Sequence, residues 1–285
     1  MLLDRVLFLL VCYLLLFNSL RMKVASFKET LWIEITIILR CIKPHLTDDS
    51  VPILQKRVYY CLLCVCRYHG FYLVNNILSD VYTMLLDSVL TINVTSKKYR
   101  LRCYDYLAQS LSADNPDHLT FIVNSIPEVI LSMKDPSKKV RAVCSHVIVQ
   151  YAELMNQSSC TFTLPDGSQG TASLNQFIQI LTGCLAGQNS HMQAAALLSL
   201  TIVLNHFKNH TDLRMIQLNI LHVTYSLIRE DNRETSKACV KYIRSCCRTL
   251  SDEDLHSELQ AILQAVMIDI GNNKNRLRSR VSLFM

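Results

Sequence analysis

The chain has 285 residues, half of them hydrophobic, and carries a formal net charge of +6. It contains only six glycines and six prolines, so the turn residues that a many-stranded fold consumes are missing, while the length suffices for a large core. This composition excludes a strand-rich domain and points to an all-helical protein; the basicity is expected at the C-terminal end, where Lys274, Arg276, Arg278 and Arg280 supply four of the six charges and no acid follows Asp269.

The first 20 residues contain an apolar run over 6–17, 12 residues long, shorter than the roughly 18–20 that a membrane span requires. A secretory signal needs a basic start and a small-residue cleavage site; here Asp4 and Arg5 cancel, and Asn18-Ser19-Leu20 is not of that type. The segment reads as a buried first helix, with a signal or anchor, or a mistaken gene start, as the alternatives. Residues 27–43 and 51–69 form the next pair, separated by Thr47-Asp48-Asp49-Ser50 as cap residues ahead of Pro52, with Gly70 as the stop. Residues 73–92 and 96–111 form another pair, and Asn115-Pro116 opens the following helix.

Residues 126–151 read as a complete helix-turn-helix unit. Pro127 suits a first helical turn, and Val129, Ile130 and Met133 follow at helical spacing. Asp135-Pro136 then ends that helix and starts the next, as cap and first helical residue. Val140, Cys144, Val147, Ile148 and Tyr151 fall at steps of 4, 7, 8 and 11, on one face, with Ser137, Lys138, Lys139 and Arg141 on the other. This unit repeats: Ser96-Lys97-Lys98-x-Arg100-x-x-Cys103 returns as Ser137-Lys138-Lys139-x-Arg141-x-x-Cys144 at an offset of 41 residues, and Gln109 falls on Gln150. Helix pairs repeating about every 40 residues are the signature of HEAT and armadillo arrays. The expected fold is therefore all-α, an α-α superhelix (HEAT/armadillo-like solenoid) of stacked antiparallel helix pairs, running as a single solenoid over 1–285. Asp135-Pro136-x-x-x-Val140-Arg141 resembles the HEAT consensus, which implies that Asp135 and Arg141 stabilise the turn between the two helices.

Residues 157–170, QSSCTFTLPDGSQG, break every helical period and contain the turn signal Pro165-Asp166-Gly167, so an inserted surface loop is expected. Helices resume over 173–185, 191–207, 212–228, 234–250 and 252–270, with Ser173-x-x-Gln176 and Ser251-x-x-Asp254 resembling capping boxes and Gly187 and Gly271 as stops. Cys239, Ile243, Cys246, Cys247 and Leu250 repeat the 4, 7, 8, 11 spacing, as do Leu255, Leu259, Ile262, Leu263 and Val266. Both faces are expected to be buried against neighbouring repeats, because no repeat covers its own apolar surface.

No phosphate-cradling glycine loop, nucleophile elbow or zinc-protease helix motif occurs, and the expectation is a non-enzymatic protein with no catalytic residue, metal or other cofactor. Of the 12 cysteines, Cys61-x-x-Cys64-x-Cys66 is the densest group. At about 100° per helical residue, Cys66 points roughly 140° from Cys61, so the three do not converge on one ion. The cysteines are read as core thiols, with disulfides or a metal as alternatives, and reduced thiols imply an intracellular compartment. Glycosylation tripeptides at Asn93, Asn156 and Asn209 gain meaning only in a secreted chain.

A narrower resemblance enters at Leu185-Ala186-Gly187-x-x-x-His191-Met192-x-x-Ala195, running into Leu204-x-x-Phe207-Lys208. With the repeat from Ser236-Lys237 to Leu250, the helix over 255–270 and the ending Asn273-Lys274-Asn275-Arg276-Leu277-Arg278-Ser279-Arg280-Val281, it resembles the ribosomal RNA-processing protein 12 family. The central Lys134-Asp135-x-Ser137-Lys138-Lys139-x-Arg141 is similar to that family's corresponding repeat. The similar stretch is about 96–281; the first 95 residues fit only as generic helical repeats. Family members are longer HEAT-repeat proteins that continue past the arginine-rich helix, so the chain reads as a fragment or a truncated gene model.

The resemblance implies a scaffold of pre-ribosomal particles in the nucleus and nucleolus, shuttling to the cytoplasm. It supports pre-rRNA processing, subunit maturation and nuclear export. Its partners would be rRNA, ribosomal proteins and assembly factors, with Ran and export factors beside them, and no small-molecule substrate or membrane. Another α-solenoid, such as a karyopherin-type transport receptor, is the runner-up, and a secreted or membrane-anchored protein the third reading. RNA- or partner-binding candidates are Lys97, Lys98, Lys138 and Lys139, at equivalent repeat positions, and the separate cluster Lys274, Arg276, Arg278 and Arg280. Few aromatic residues lie near either set, which favours recognition of backbone or shape over base stacking; the alternative is an ordinary solvated helix surface.

Overall fold

Helices dominate the computed structural model, which describes residues 28–210, 213–229 and 232–271. In chain order the α-helices are α1 (Lys28–Leu46), α2 (Pro52–Asn76), α3 (Leu78–Asp87), α4 (Val94–Ala108), α5 (Pro116–Leu131) and α6 (Lys138–Gln157). They continue as α7 (Leu174–Gly183), α8 (Ser190–His206), α9 (Arg214–Arg229), α10 (Arg233–Thr249) and α11 (Asp252–Gly271). A 3₁₀ turn, Ser132–Lys134, joins α5 to α6, and a hairpin of β1 (Thr161–Thr163) and β2 (Gln169–Thr171) separates α6 from α7. Two compact units divide the chain, Met1–Phe121 and Ile122–Met285.

Side-chain bonds fix the helix directions. In the N-terminal unit, Gln55 early in α2 accepts from the backbone N–H of Asn93, the α4 cap, at 2.8 Å, while Gly70 late in α2 lies against Tyr106 and Ser110 at the end of α4. Consequently α2 and α4 run parallel. Between them α3 runs the other way, since Ser88 at its end takes a 2.8 Å hydrogen bond from Tyr59 near the start of α2. The same logic holds in the C-terminal unit. Ser190 and Thr235 meet at the starts of α8 and α10, and Asn205 and Ser245 meet towards their ends, so those helices are parallel. Gln217, early in α9, bonds Thr249 and Tyr242 of α10, so that pair is antiparallel. Each unit thus alternates an outgoing and a returning helix, all-α and stacked in the manner of an α-α superhelix of HEAT/armadillo type.

The core follows the helical periods. Val140, Cys144, Val147, Ile148 and Tyr151 of α6 are all buried, as are Cys239, Ile243 and Cys246 of α10, whereas Cys247, expected on the same face, is exposed and Leu250 is half-buried. Each full burial of such a side chain is worth about 1.5–3 kcal/mol. Among the cysteines, Cys61, Cys64, Cys66, Cys103, Cys144, Cys239 and Cys246 are buried free thiols; burial pushes Cys61 up to about 12 and Cys246 up to about 11, so both stay protonated and pack as small apolar groups. Buried glutamines tie loops to helix starts. Gln55 donates to the carbonyls of Leu46 (3.1 Å) and Thr91 (2.9 Å), and Gln193 to those of Leu185 (3.3 Å) and Gly187 (2.8 Å).

Several expectations need correction. Pro127 does not start a helix but lies inside α5, which begins at Pro116. Gly70 does not stop α2 either: the helix continues to Asn76 past a distorted His69, and an added Cβ at Gly70 would sit 2.9 Å from Ser110 Oγ and 3.4 Å from the Tyr106 carbonyl. That glycine serves the close approach of α4. The face expected to be buried on α11 is only partly so. Ile262 is buried, but Leu259 and Leu263 are 45% and 56% exposed, because no described element covers that side of α11. Residues 157–170 are more ordered than a loop. After α6 ends at Gln157 the chain forms the hairpin, with Phe162 paired opposite Gly170 and 2% exposed. Its tip is a three-residue turn in which Gly167 takes φ +83°, the left-handed conformation such turns require. The expected helix over residues 1–20 lies outside the described residues.

Candidate functional site

Charge is concentrated on α10. Asn232 caps its start, accepting from the backbone N–H of Glu234 (3.0 Å) and Thr235 (3.2 Å). Within the helix Cys239, Tyr242, Ile243 and Cys246 turn inward. The other side carries Arg233, Lys237, Lys241, Arg244 and Arg248, at steps of 4, 4, 3 and 4, which form one stripe. Arg233, Lys241 and Arg248 are exposed, and Lys237 and Arg244 are half-buried.

Two neighbours add to the stripe. From the 3₁₀ turn, Lys134 crosses to pair with Glu234, and Lys237 approaches the other oxygen of that carboxylate at 3.7 Å. The hydrogen bond from Lys134, then the nearby Lys237 and Arg233, hold the Glu234 carboxyl below its ordinary range. Partial burial, followed by repulsion from Arg141, Lys134 and Lys237, holds the Lys241 ammonium below its ordinary value. Arg141 of α6 and Lys134 therefore belong electrostatically with Lys237 and Lys241, and Glu234 is the acid placed among them. Arg233, Lys241, Arg244 and Arg248 form no ion pair among the described residues. Such an arrangement holds oxyanions by charge and N–H donation.

The sequence-derived candidates divide. Lys138 and Lys139 are exposed in the first turn of α6, beside Arg141 in sequence. Lys97 and Lys98 are half-buried in the first turn of α4, in the other unit. Lys274, Arg276, Arg278 and Arg280 lie outside the described residues. Arg141 Nη1 donates to the carbonyls of Asp135 (2.7 Å) and Pro136 (2.8 Å), while Asp135 Oδ1 accepts from the Ser137 N–H at 2.8 Å. The α10 stripe is not among the sequence-derived candidates, although its 4, 4, 3, 4 spacing is the signal that marks it.

Other polar groups link successive helices. Arg214 makes a bidentate pair with the buried Asp254 at 2.6 and 2.5 Å, and Glu258 bridges His222 (2.9 Å) and Tyr225 (3.1 Å). Among the described residues no three His, Cys, Asp or Glu side chains gather as metal ligands, and no helix is long and apolar enough to cross a membrane. The glycosylation tripeptide at Asn93 has a helix-capping use, since its side chain accepts from the Thr95 N–H and hydroxyl, both at 3.0 Å.

The chain is similar in sequence to several known proteins. No family model matches the chain. It is 24% identical over 224 residues to Ribosomal RNA-processing protein 12 of Saccharomyces cerevisiae, covering 76% of this chain and 18% of that protein. It is 26% identical over 228 residues to the RRP12-like protein of Homo sapiens, covering 79% of this chain and 16% of that one. The RRP12-like protein of Gallus gallus is 25% identical over 234 residues, covering 80% and 17% respectively. The resemblance seen in the sequence is thus found with relatives from yeast, human and chicken, and the chain spans less than a fifth of the length of the curated relatives it matches.

Proposed function

We propose that this chain is part of a non-enzymatic scaffold of pre-ribosomal particles, acting in ribosomal RNA processing and ribosome biogenesis in the nucleus and nucleolus. The observation that carries this reading is the similarity to proteins named for ribosomal RNA processing, which extends over 76–80% of the chain. The architecture supports it. Stacked helix pairs present long surfaces on which several partners can be held together, and the depressed carboxyls of Glu234 and Asp254 sit in ion pairs between elements while the raised thiols of Cys61 and Cys246 sit in packed cores. Pre-rRNA, ribosomal proteins and assembly factors are the proposed partners, with Ran and export factors engaged during subunit maturation and export to the cytoplasm.

Depleting the protein in cells and measuring precursor and mature rRNA by hybridisation tests the reading. Unprocessed precursors are expected to accumulate at the expense of mature rRNA. Unchanged precursor ratios after full depletion would overturn it.

A further inference from the structure

We infer that the outer face of α10, carrying Arg233, Lys237, Lys241, Arg244 and Arg248, binds the sugar-phosphate backbone of single-stranded RNA. This rests on the proposed function for the identity of the polymer. Its geometry stands separately. A helix rises about 1.5 Å per residue, so cations four apart are about 6 Å apart and the stripe is about 22 Å long. The 6 Å step is comparable with the separation of successive phosphates on an RNA strand. Glu234 already shows an oxyanion seated between Lys134 and Lys237.

The chemistry of the face selects among polyanions. An acidic protein partner would need apolar anchors at the centre of its interface, yet none of the exposed large hydrophobic side chains lies on α10. The aromatic residue of α10, Tyr242, is 1% exposed and turned inward, so no ring is offered for base stacking. What remains is charge at regular spacing, which reads backbone without sequence.

The test measures binding of a labelled single-stranded RNA to the 285-residue chain by fluorescence anisotropy over a salt series. Each neutralised phosphate on a single strand contributes about −0.7 to the log–log slope. The triple variant Lys237→Gln, Lys241→Gln, Arg244→Gln is expected to lose at least about tenfold in affinity at moderate salt and to have a slope shallower by about 2. Removing three charges elsewhere, with Lys56→Gln, Arg102→Gln and Lys208→Gln, should leave the slope unchanged. Where the triple variant melts early, the exposed pair Arg233→Gln, Arg248→Gln replaces it, with a slope shallower by about 1.4.

An unchanged slope in the α10 variants, an equal loss in the control, or competition by polyglutamate as strong as by RNA would each overturn the proposal. Its failure is distinguishable from failure of the proposed function. In the first case pre-rRNA processing still depends on the protein while the α10 variants bind RNA like the wild type; in the second, depletion leaves precursors unchanged whatever the α10 variants do.

Discussion

Arg100 and Arg141 sit 41 residues apart in an identical motif, yet their surroundings differ. Arg100 is fully buried and donates to Tyr59 Oη at 3.1 Å and Ser88 Oγ at 2.9 Å, whereas Arg141 is half-buried and closes its turn through main-chain carbonyls. A motif in sequence specifies the residue and its helix face; the partners come from what lies beside it, neighbouring helices for Arg100 and its own turn for Arg141. Cys103 and Cys144, the apolar members of the same motif, are both 0% exposed, because burial needs only the right face. Arg214 and Asp254 carry a prediction at this scale. The bond from Arg214, supported by Ser251, holds the Asp254 carboxyl below its ordinary range. The unfolded chain then binds the proton more readily than the native state, so the pair contributes stability above about pH 4 that is lost as pH falls through the depressed folded value. Arg214→Ala should raise the Asp254 pKa, read by carboxyl NMR, and flatten the loss of thermal stability below pH 4. An Asp254 pKa unmoved by that substitution would show that Arg214 is not the cause.

At the scale of elements, long helices with strict periods were legible. The returning helices of the C-terminal unit begin and end within two residues of expectation where the apolar face is regular, as in α8 and α10. Errors arose where one residue type serves two purposes. A glycine ends helices, but Gly70 lets two helices touch; a proline starts helices, but Pro127 is carried inside α5. The hairpin escaped because its strands are three residues long and mostly polar, and what orders them is Phe162, whose burial no local period announces. In limited proteolysis with a broad-specificity protease, cleavage in the wild type should be confined to the exposed tip, residues 165–168. Phe162→Ala removes the anchor and should make the whole of 158–172 cut several-fold faster, while helix content by circular dichroism stays the same. Equal cutting rates in the two proteins would mean that Phe162 does not hold the hairpin.

For the whole molecule, the alternation of apolar and polar helix faces announced the fold class, and the 41-residue offset announced its repeat. Charge was harder to read, because totals average over surfaces. The acidic start of α11, Asp252, Glu253 and Asp254, offsets the cations of α10 in any net figure, whereas no acid balances the last basic cluster in the chain. In the folded chain Asp254 is taken up by Arg214 of α9, so α10 carries a basic stripe although the sequence around it looks balanced. The alignment of Lys134 and Arg141 with that surface depends on a turn about 100 residues earlier, a juxtaposition that periodicity does not contain.

The central claim, that the chain acts as a scaffold on pre-ribosomal particles, is tested most directly by gradient sedimentation of a nuclear extract, following the tagged chain and pre-rRNA in the same fractions. The account predicts that the chain co-sediments with pre-rRNA-containing particles and moves to the top of the gradient after ribonuclease treatment. A chain that sediments alone, in fractions free of pre-rRNA, would contradict it.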